Sequence, residues 1–277
     1  MKIPYNRRAL VSFQGRCPMN CKHCYTFDLD KQEEILEASA VASAALPEDC
    51  DIIYVSQRYE NFYHEPDGTD LCRALYRTHH KDIFVITRSF LHEDTLRDLS
   101  RLHREMAAQG HTLFLSVSLC ADESYGVTED PAVCPTPLQR LSNLQRAHAL
   151  GIQTILMLRP VFPDAVIPVS ECCSLVARYA DAVDAVVTSG LIVTEGVLAR
   201  LHLDESALSF ATDGDSSYLA DLKGEDVRYV DVERELREIE RACAAQGVPC
   251  FRHSMPALNF LAQHRERRLP QASSSAV

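Results

Sequence analysis

Short runs of Val, Ile, Leu and Phe recur along the chain, and between them apolar residues return at helical spacing. The runs predict strands over residues 9–14, 51–57, 83–88, 112–119, 154–161 and 185–192. Most are apolar on both faces, as parallel strands covered on both sides require. The helical pattern falls over residues 30–45, 70–78, 93–109, 137–150 and 169–179. Pro137 stands in the first turn of one helix and Gly151 just past its end, the positions those residues favour. Strand and helix alternating in series, with right-handed crossovers, give an α/β fold: an incomplete (β/α)6 parallel barrel.

Beyond the sixth strand the pattern weakens. Helices are predicted near 195–203 and 232–246, with an extended segment over 247–253. The chain then divides into a barrel core over 1–200, a C-terminal extension over 201–269 closing the barrel mouth, and a disordered tail over 270–277. No internal repeat is present.

Composition narrows the class. Hydrophobic residues at 46% and charged residues at 24% are ordinary for a globular protein of 277 residues. The N-terminus has no apolar signal segment, and no apolar run approaches the ~18 residues of a membrane span. The 11 cysteines are therefore expected as thiols in a reducing cytoplasm. Acidic residues outnumber basic ones 39 to 28, for a net charge of −11. That balance disfavours a polyanion such as nucleic acid and suits a cationic substrate.

The chemistry concentrates in one segment, Gly-Arg-Cys-Pro-Met-Asn-Cys-Lys-His-Cys-Tyr, with Cys17, Cys21 and Cys24 at C-x3-C-x2-C spacing. Three thiols on one loop can hold three irons of a [4Fe–4S] cluster and leave the fourth iron open. A zinc site is the alternative, but it wants four ligands, and His23 between two cysteines would crowd the ion. The spacing, Tyr25 straight after the last Cys, and the place after the first strand resemble the radical S-adenosylmethionine (SAM) superfamily. The resemblance implies a partial barrel, a [4Fe–4S] cluster held by Cys17, Cys21 and Cys24, and SAM chelated at the open iron. It also implies an external electron donor such as flavodoxin or ferredoxin.

Strand ends supply the candidates for SAM contacts, because chemistry in such barrels collects at the C-terminal ends of strands. The second strand runs into Ser56-Gln57-Arg58-Tyr59-Glu60 where the superfamily commonly has Gly-Gly-Glu. This polar-aromatic form resembles the spore-photoproduct-lyase-like branch, and Ser56, Gln57 and Glu60 share the expectation. The third strand ends Thr-Arg88-Ser, similar to that branch's Thr-Lys-Ser, so Arg88 is expected to meet the SAM carboxylate or the anionic cluster. Ser116 and Ser118 share one face of the fourth strand and suit the ribose. Arg159, at the end of the fifth, can grip a carboxylate bidentately.

The reaction is read from further resemblance. With a core barrel and no additional C-x2-C pair, the chain is similar to radical SAM epimerases that act on aminoglycosides, of the neomycin C to neomycin B type. Inverting an unactivated carbon needs hydrogen removed from one face and returned to the other. The resemblance assigns the return to a late cysteine, matched here by Cys250, with Cys243 as second choice. Glu60, Glu65, Asp122, Glu123, Asp164, Glu195, Asp213 and Asp215 are expected near the mouth, where they would pair with substrate ammonium groups. The alternative reading keeps the cofactor and makes the enzyme a dehydratase or lyase on a sugar or nucleoside.

Overall fold

The computed structural model describes residues 5–13, 16–28, 42–43, 45–56, 59–211 and 227–264. Gln57, Asp213, Asp215, nearly all of the helix expected over 30–45 and the tail over 270–277 lie outside these residues.

Six strands follow one another as expected: β1 (Arg8–Val11), β2 (Ile52–Val55), β3 (Asp82–Thr87), β4 (Leu113–Leu119), β5 (Gln153–Val161) and β6 (Ala185–Gly190). The segment read as merely extended supplies a seventh, β9 (Cys250–Phe251), so the sheet order is β1-β2-β3-β4-β5-β6-β9. Every neighbouring pair in it is parallel. The sheet is open: among the described residues β1 and β9 do not pair.

Outside it pack α1 (Glu65–His79), α2 (Glu93–Ala108), α3 (Pro137–Ala149) and α4 (Val169–Tyr179). α1 begins before the residue 70 expected for it. Pro66 occupies its first turn, where a missing amide costs nothing. Gly68 lies there because a Cβ would stand 2.7 Å from the Phe62 ring. Pro and Gly so close together read as a loop in sequence, but here each has a helical reason.

β6 stops at Gly190. A Cβ at that glycine would meet Tyr229 Oη at 2.6 Å. The chain then forms β7 (Ile192–Val193), antiparallel to β8 (Arg228–Tyr229), followed by α5 (Glu195–Leu201) and, later, α6 (Glu233–Ala245).

Alternation along the strands separates two faces. Ile53, Val55, Leu115, Leu156 and Val186 point to the helices. Tyr54, Phe84, Phe114, Ile155 and Met157 point inward, where α7 (Ser254–Gln263) covers them with Ala257, Leu258 and Leu261. Burying each of those leucines contributes about 2 kcal/mol. This helix was not expected. Asn259 Nδ2 donates to the Tyr5 carbonyl at 2.9 Å, Ser254 bonds the Tyr54 hydroxyl at 3.1 Å, and Gln153 Nε2 reaches the Leu261 carbonyl at 3.4 Å. α7 therefore closes the N-terminal end of the sheet and links the segment before β1 to the segment after β9. Among the described residues of the C-terminal extension, β9 and α7 complete the sheet and its inner core, and Tyr229 reaches the strand C-terminal ends. No described helix is long and apolar enough to cross a membrane.

Candidate cofactor and active site

The loop after β1 is held from three sides. Phe13 N donates to Asn61 Oδ1 at 2.9 Å, and Asn61 N in turn donates to Ser56 Oγ at 3.1 Å, which ties the loop to the end of β2. Lys22 N reaches the Thr128 carbonyl at 2.9 Å and Lys22 Nζ the Gly126 carbonyl at 3.0 Å. Arg200 of α5 donates to the carbonyls of Lys22 and Cys24 at 3.0 and 2.8 Å, and through two nitrogens to the Asp28 carboxylate at 2.7 and 3.0 Å.

So fixed, Cys17, Cys21 and Cys24 all line one open cavity at the C-terminal ends of the strands, with about 1100 Å³ of atom-free space. Among the described residues no three metal-ligating side chains close on a single ion. A cubane cluster takes one thiolate per iron, so the arrangement fits such a group. Burial pushes the Cys17 thiol up to about 12 and raises Cys24. Cys21 is raised by its hydrogen bond with Cys134 and then by burial. Iron binding would thus release three protons from thiols that otherwise keep them.

The expected strand-end residues divide. Ser56, Glu60, Arg88, Ser118 and Arg159 line the same cavity as the thiols. Ser56 takes a left-handed backbone, φ 73°, as the chain leaves β2. Glu60 is fixed on all sides: its carboxylate accepts from Thr87 Oγ1 at 2.9 Å, Phe62 N at 3.1 Å and Arg88 N at 2.6 Å. Burial raises its pKa. The Arg88 guanidinium is also engaged, with Glu129, the Arg159 carbonyl at 3.1 Å and His23 Nε2 at 3.3 Å.

Two expectations are corrected. Ser116 sits one pleat below Ser118 and donates to the Val85 carbonyl at 3.0 Å, outside the cavity lining. Cys250 does not face the mouth. It pairs in register with Val186, whose side chain points outward, and packs in the outer core beside Cys243 of α6. Cys243 gives its S–H to Cys250, which raises the Cys243 thiol and lowers that of Cys250. The inward position on β9 belongs to Phe251. Of the carboxylates expected near the mouth, Glu60 lines the cavity, whereas Glu65, Asp122 and Asp164 are paired with His92, Arg178 and Arg234.

Sequence reasoning missed several residues. Tyr229 lines the cavity and accepts from Gly190 N at 2.6 Å. It comes from a two-residue strand too short to carry a pattern. Glu129 and Arg140, both fully buried, form an ion pair behind the wall. Arg140 had a visible signal: it occupies the apolar stripe of α3 with Leu141, Leu144 and Ala147, where a charged residue is out of place.

Fold and pocket together define an α/β protein with an open parallel sheet whose cavity, lined by loop thiols, opens at the strand C-terminal ends. No protein-family profile matches the chain, and no curated protein sequence does. Solved structures share its fold. A variant of spore photoproduct lyase superposes with a TM-score of 0.60 at 11% identity, covering 91% of this chain and 79% of that one. A further variant, with bound AdoMet and dinucleoside spore photoproduct, gives 0.58 at 12% identity over 88% and 76%. SuiB of Streptococcus suis, bound to the precursor peptide SuiA, gives 0.50 at 12% identity over 90% and 49%. At these identities the likeness is one of fold.

Proposed function

We propose that this chain is a radical SAM enzyme. The observation that carries the reading is the convergence of Cys17, Cys21 and Cys24 on one cavity whose other walls are polar strand ends. The fold shared with an AdoMet-bound structure supports it. In this reading the three thiolates hold a [4Fe–4S] cluster, which when bound supplies the electron that cleaves SAM to methionine and a 5′-deoxyadenosyl radical. Ser118 and Arg159 offer a hydroxyl and a cation to the SAM ribose and carboxylate. Glu60, already accepting three hydrogen bonds, braces the wall. The electron comes from an external donor of the flavodoxin or ferredoxin kind.

The finer reading is epimerisation of one carbon of an aminoglycoside, a cationic substrate that suits a chain of net charge −11. Among the described residues that line the cavity the carboxylate is Glu60. The returning hydrogen in this reading comes from a group lining the cavity, where the phenols of Tyr25, Tyr59 and Tyr229 stand, and not from Cys250.

Both readings are tested in one incubation: anaerobically reconstituted protein, reductant, SAM and a panel of aminoglycosides in D2O. We expect 5′-deoxyadenosine, and deuterium at one inverted carbon. Absence of 5′-deoxyadenosine with every reductant would overturn the class. Its formation with no inverted product, or with loss of water or ammonia from the sugar, would overturn the epimerase reading alone.

A further inference from the structure

Behind the cavity wall, side chains from separate elements form one buried charged array. Glu129, at the end of the helical turn Tyr125–Thr128, and Arg140 of α3 are both fully buried. Arg140 donates to the two Glu129 oxygens at 2.5 and 3.1 Å and to the Ser118 carbonyl at 3.2 Å. Arg88, at the end of β3, donates to the same carboxylate and reaches toward His23, which lies between Cys21 and Cys24. Arg88 is 16% exposed and, like His23, lines the cavity.

One carboxylate faces two guanidiniums, so a positive charge is left over. Glu60 and Arg159, which also line the cavity, add one negative and one positive charge and leave the surplus unchanged.

As a stability device this array is poor. A buried ion pair replaced by apolar residues of similar volume is often neutral or more stable. Arg140 Nε is moreover buried without a hydrogen-bond partner, a cost that a methionine there would avoid. What the array supplies is charge, and it supplies it beside three thiols that become negative on binding iron.

We infer that the surplus charge of Arg88, Arg140 and Glu129 is the built-in counter-charge of the iron–sulfur group, and that Arg140 and Glu129 set its reduction potential without touching it. The inference rests on the radical SAM reading. Reduction adds one negative charge to the group, so a nearby positive charge favours the reduced form, and burial keeps water and salt from screening it. Net charge is among the determinants of iron–sulfur potentials. Arg88 and Arg140 act here as positioning and tuning residues.

The test is an anaerobic redox titration of the reconstituted protein, followed by absorbance and electron paramagnetic resonance, with iron content and thermal unfolding as fold controls. Arg140→Met removes the surplus charge and should lower the potential. Glu129→Gln adds to the surplus and should raise it. The double variant restores the original count and should return close to wild type. Each single change should alter the ratio of reduced to oxidised cluster at fixed poise about tenfold, which for a one-electron couple is about 59 mV. A role in packing alone would move both single variants in the same direction, or neither, and either outcome overturns the inference. If the buried variants fail to take up iron, Arg88→Met and Arg88→Lys at the cavity edge give the same contrast. The first should fall and the second hold, and equal potentials would again overturn it. A wild-type protein that binds no iron overturns the enzyme reading, and this inference with it.

Discussion

Arg200 is the side chain by which α5 grips the far end of the thiol loop, and replacing it should loosen that loop without unfolding the sheet. In Arg200→Met the hydrogen bonds to the Lys22 and Cys24 carbonyls and the two-pronged contact with Asp28 are all lost. Hydrogen bonds to charged groups contribute about 1.5–3 kcal/mol each when buried. Arg200 and Asp28 are 30% and 23% exposed, so solvent screening reduces the total. A loss of about 1–2 kcal/mol in local stability is expected, which multiplies the open population of the loop by about 5 to 30. The assay is alkylation of the iron-free, reduced protein, with Cys24 labelling followed by mass spectrometry. Cys72, a fully buried residue of α1, serves as the internal reference. Arg200 holds the Asp28 carboxyl below its usual range, first by hydrogen bonding. The clasp is therefore fully present above the unfolded aspartate pKa of about 3.9 and is lost as pH falls through the lower folded value. At pH 7 the whole effect should be visible. Gly196→Ala should reproduce it without removing a charge, because the new methyl would stand 2.6 Å from the Asp28 carboxyl carbon. Cys24 labelling within twofold of wild type in both variants would refute the clasp.

Three further outcomes follow from the structure. Reconstituted protein should hold about four irons, one cubane, and none after joint replacement of Cys17, Cys21 and Cys24 by Ala; iron analysis giving about eight would contradict the single site. Cys250→Ala should leave 5′-deoxyadenosine and product formation unchanged, since Cys250 faces α6; a large fall in product with normal 5′-deoxyadenosine would restore it as the hydrogen donor. Leu258→Ala should cost about 2–5 kcal/mol in denaturant unfolding, because Leu258 is fully buried on the inner face.

The six long strands were legible because most are apolar on both faces, and a parallel sheet covered on both sides allows little else. The loop thiols and most strand-end polar residues could be placed for the same reason: once the strands are known, their C-terminal ends are known. β9 and α7 were not legible. β9 is two residues long, and which of Cys250 and Phe251 faces inward turns on a register shift of one residue. α7 carries Pro256 in its first turn and packs closely enough to lack a clear polar face, so its pattern resembles a loop. Glu129 and Arg140 lie eleven positions apart, and only the turn between them brings the pair together.

The clasp of α7 on the segment before β1 also sets an order of events during synthesis. Asn259 and Tyr5 are separated by 254 positions. A ribosome that has delivered all six long strands has therefore not yet delivered the helix that covers their shared inner face. Until residues 254–263 emerge, Tyr54, Phe84, Phe114 and Met157 remain open to water or to one another. Contacts this distant in sequence slow folding, and uncovered apolar surface in the meantime invites association with other chains. A chain cut short at about residue 250 would keep its thiol loop and every long strand. It should still appear as insoluble material rather than as a smaller enzyme.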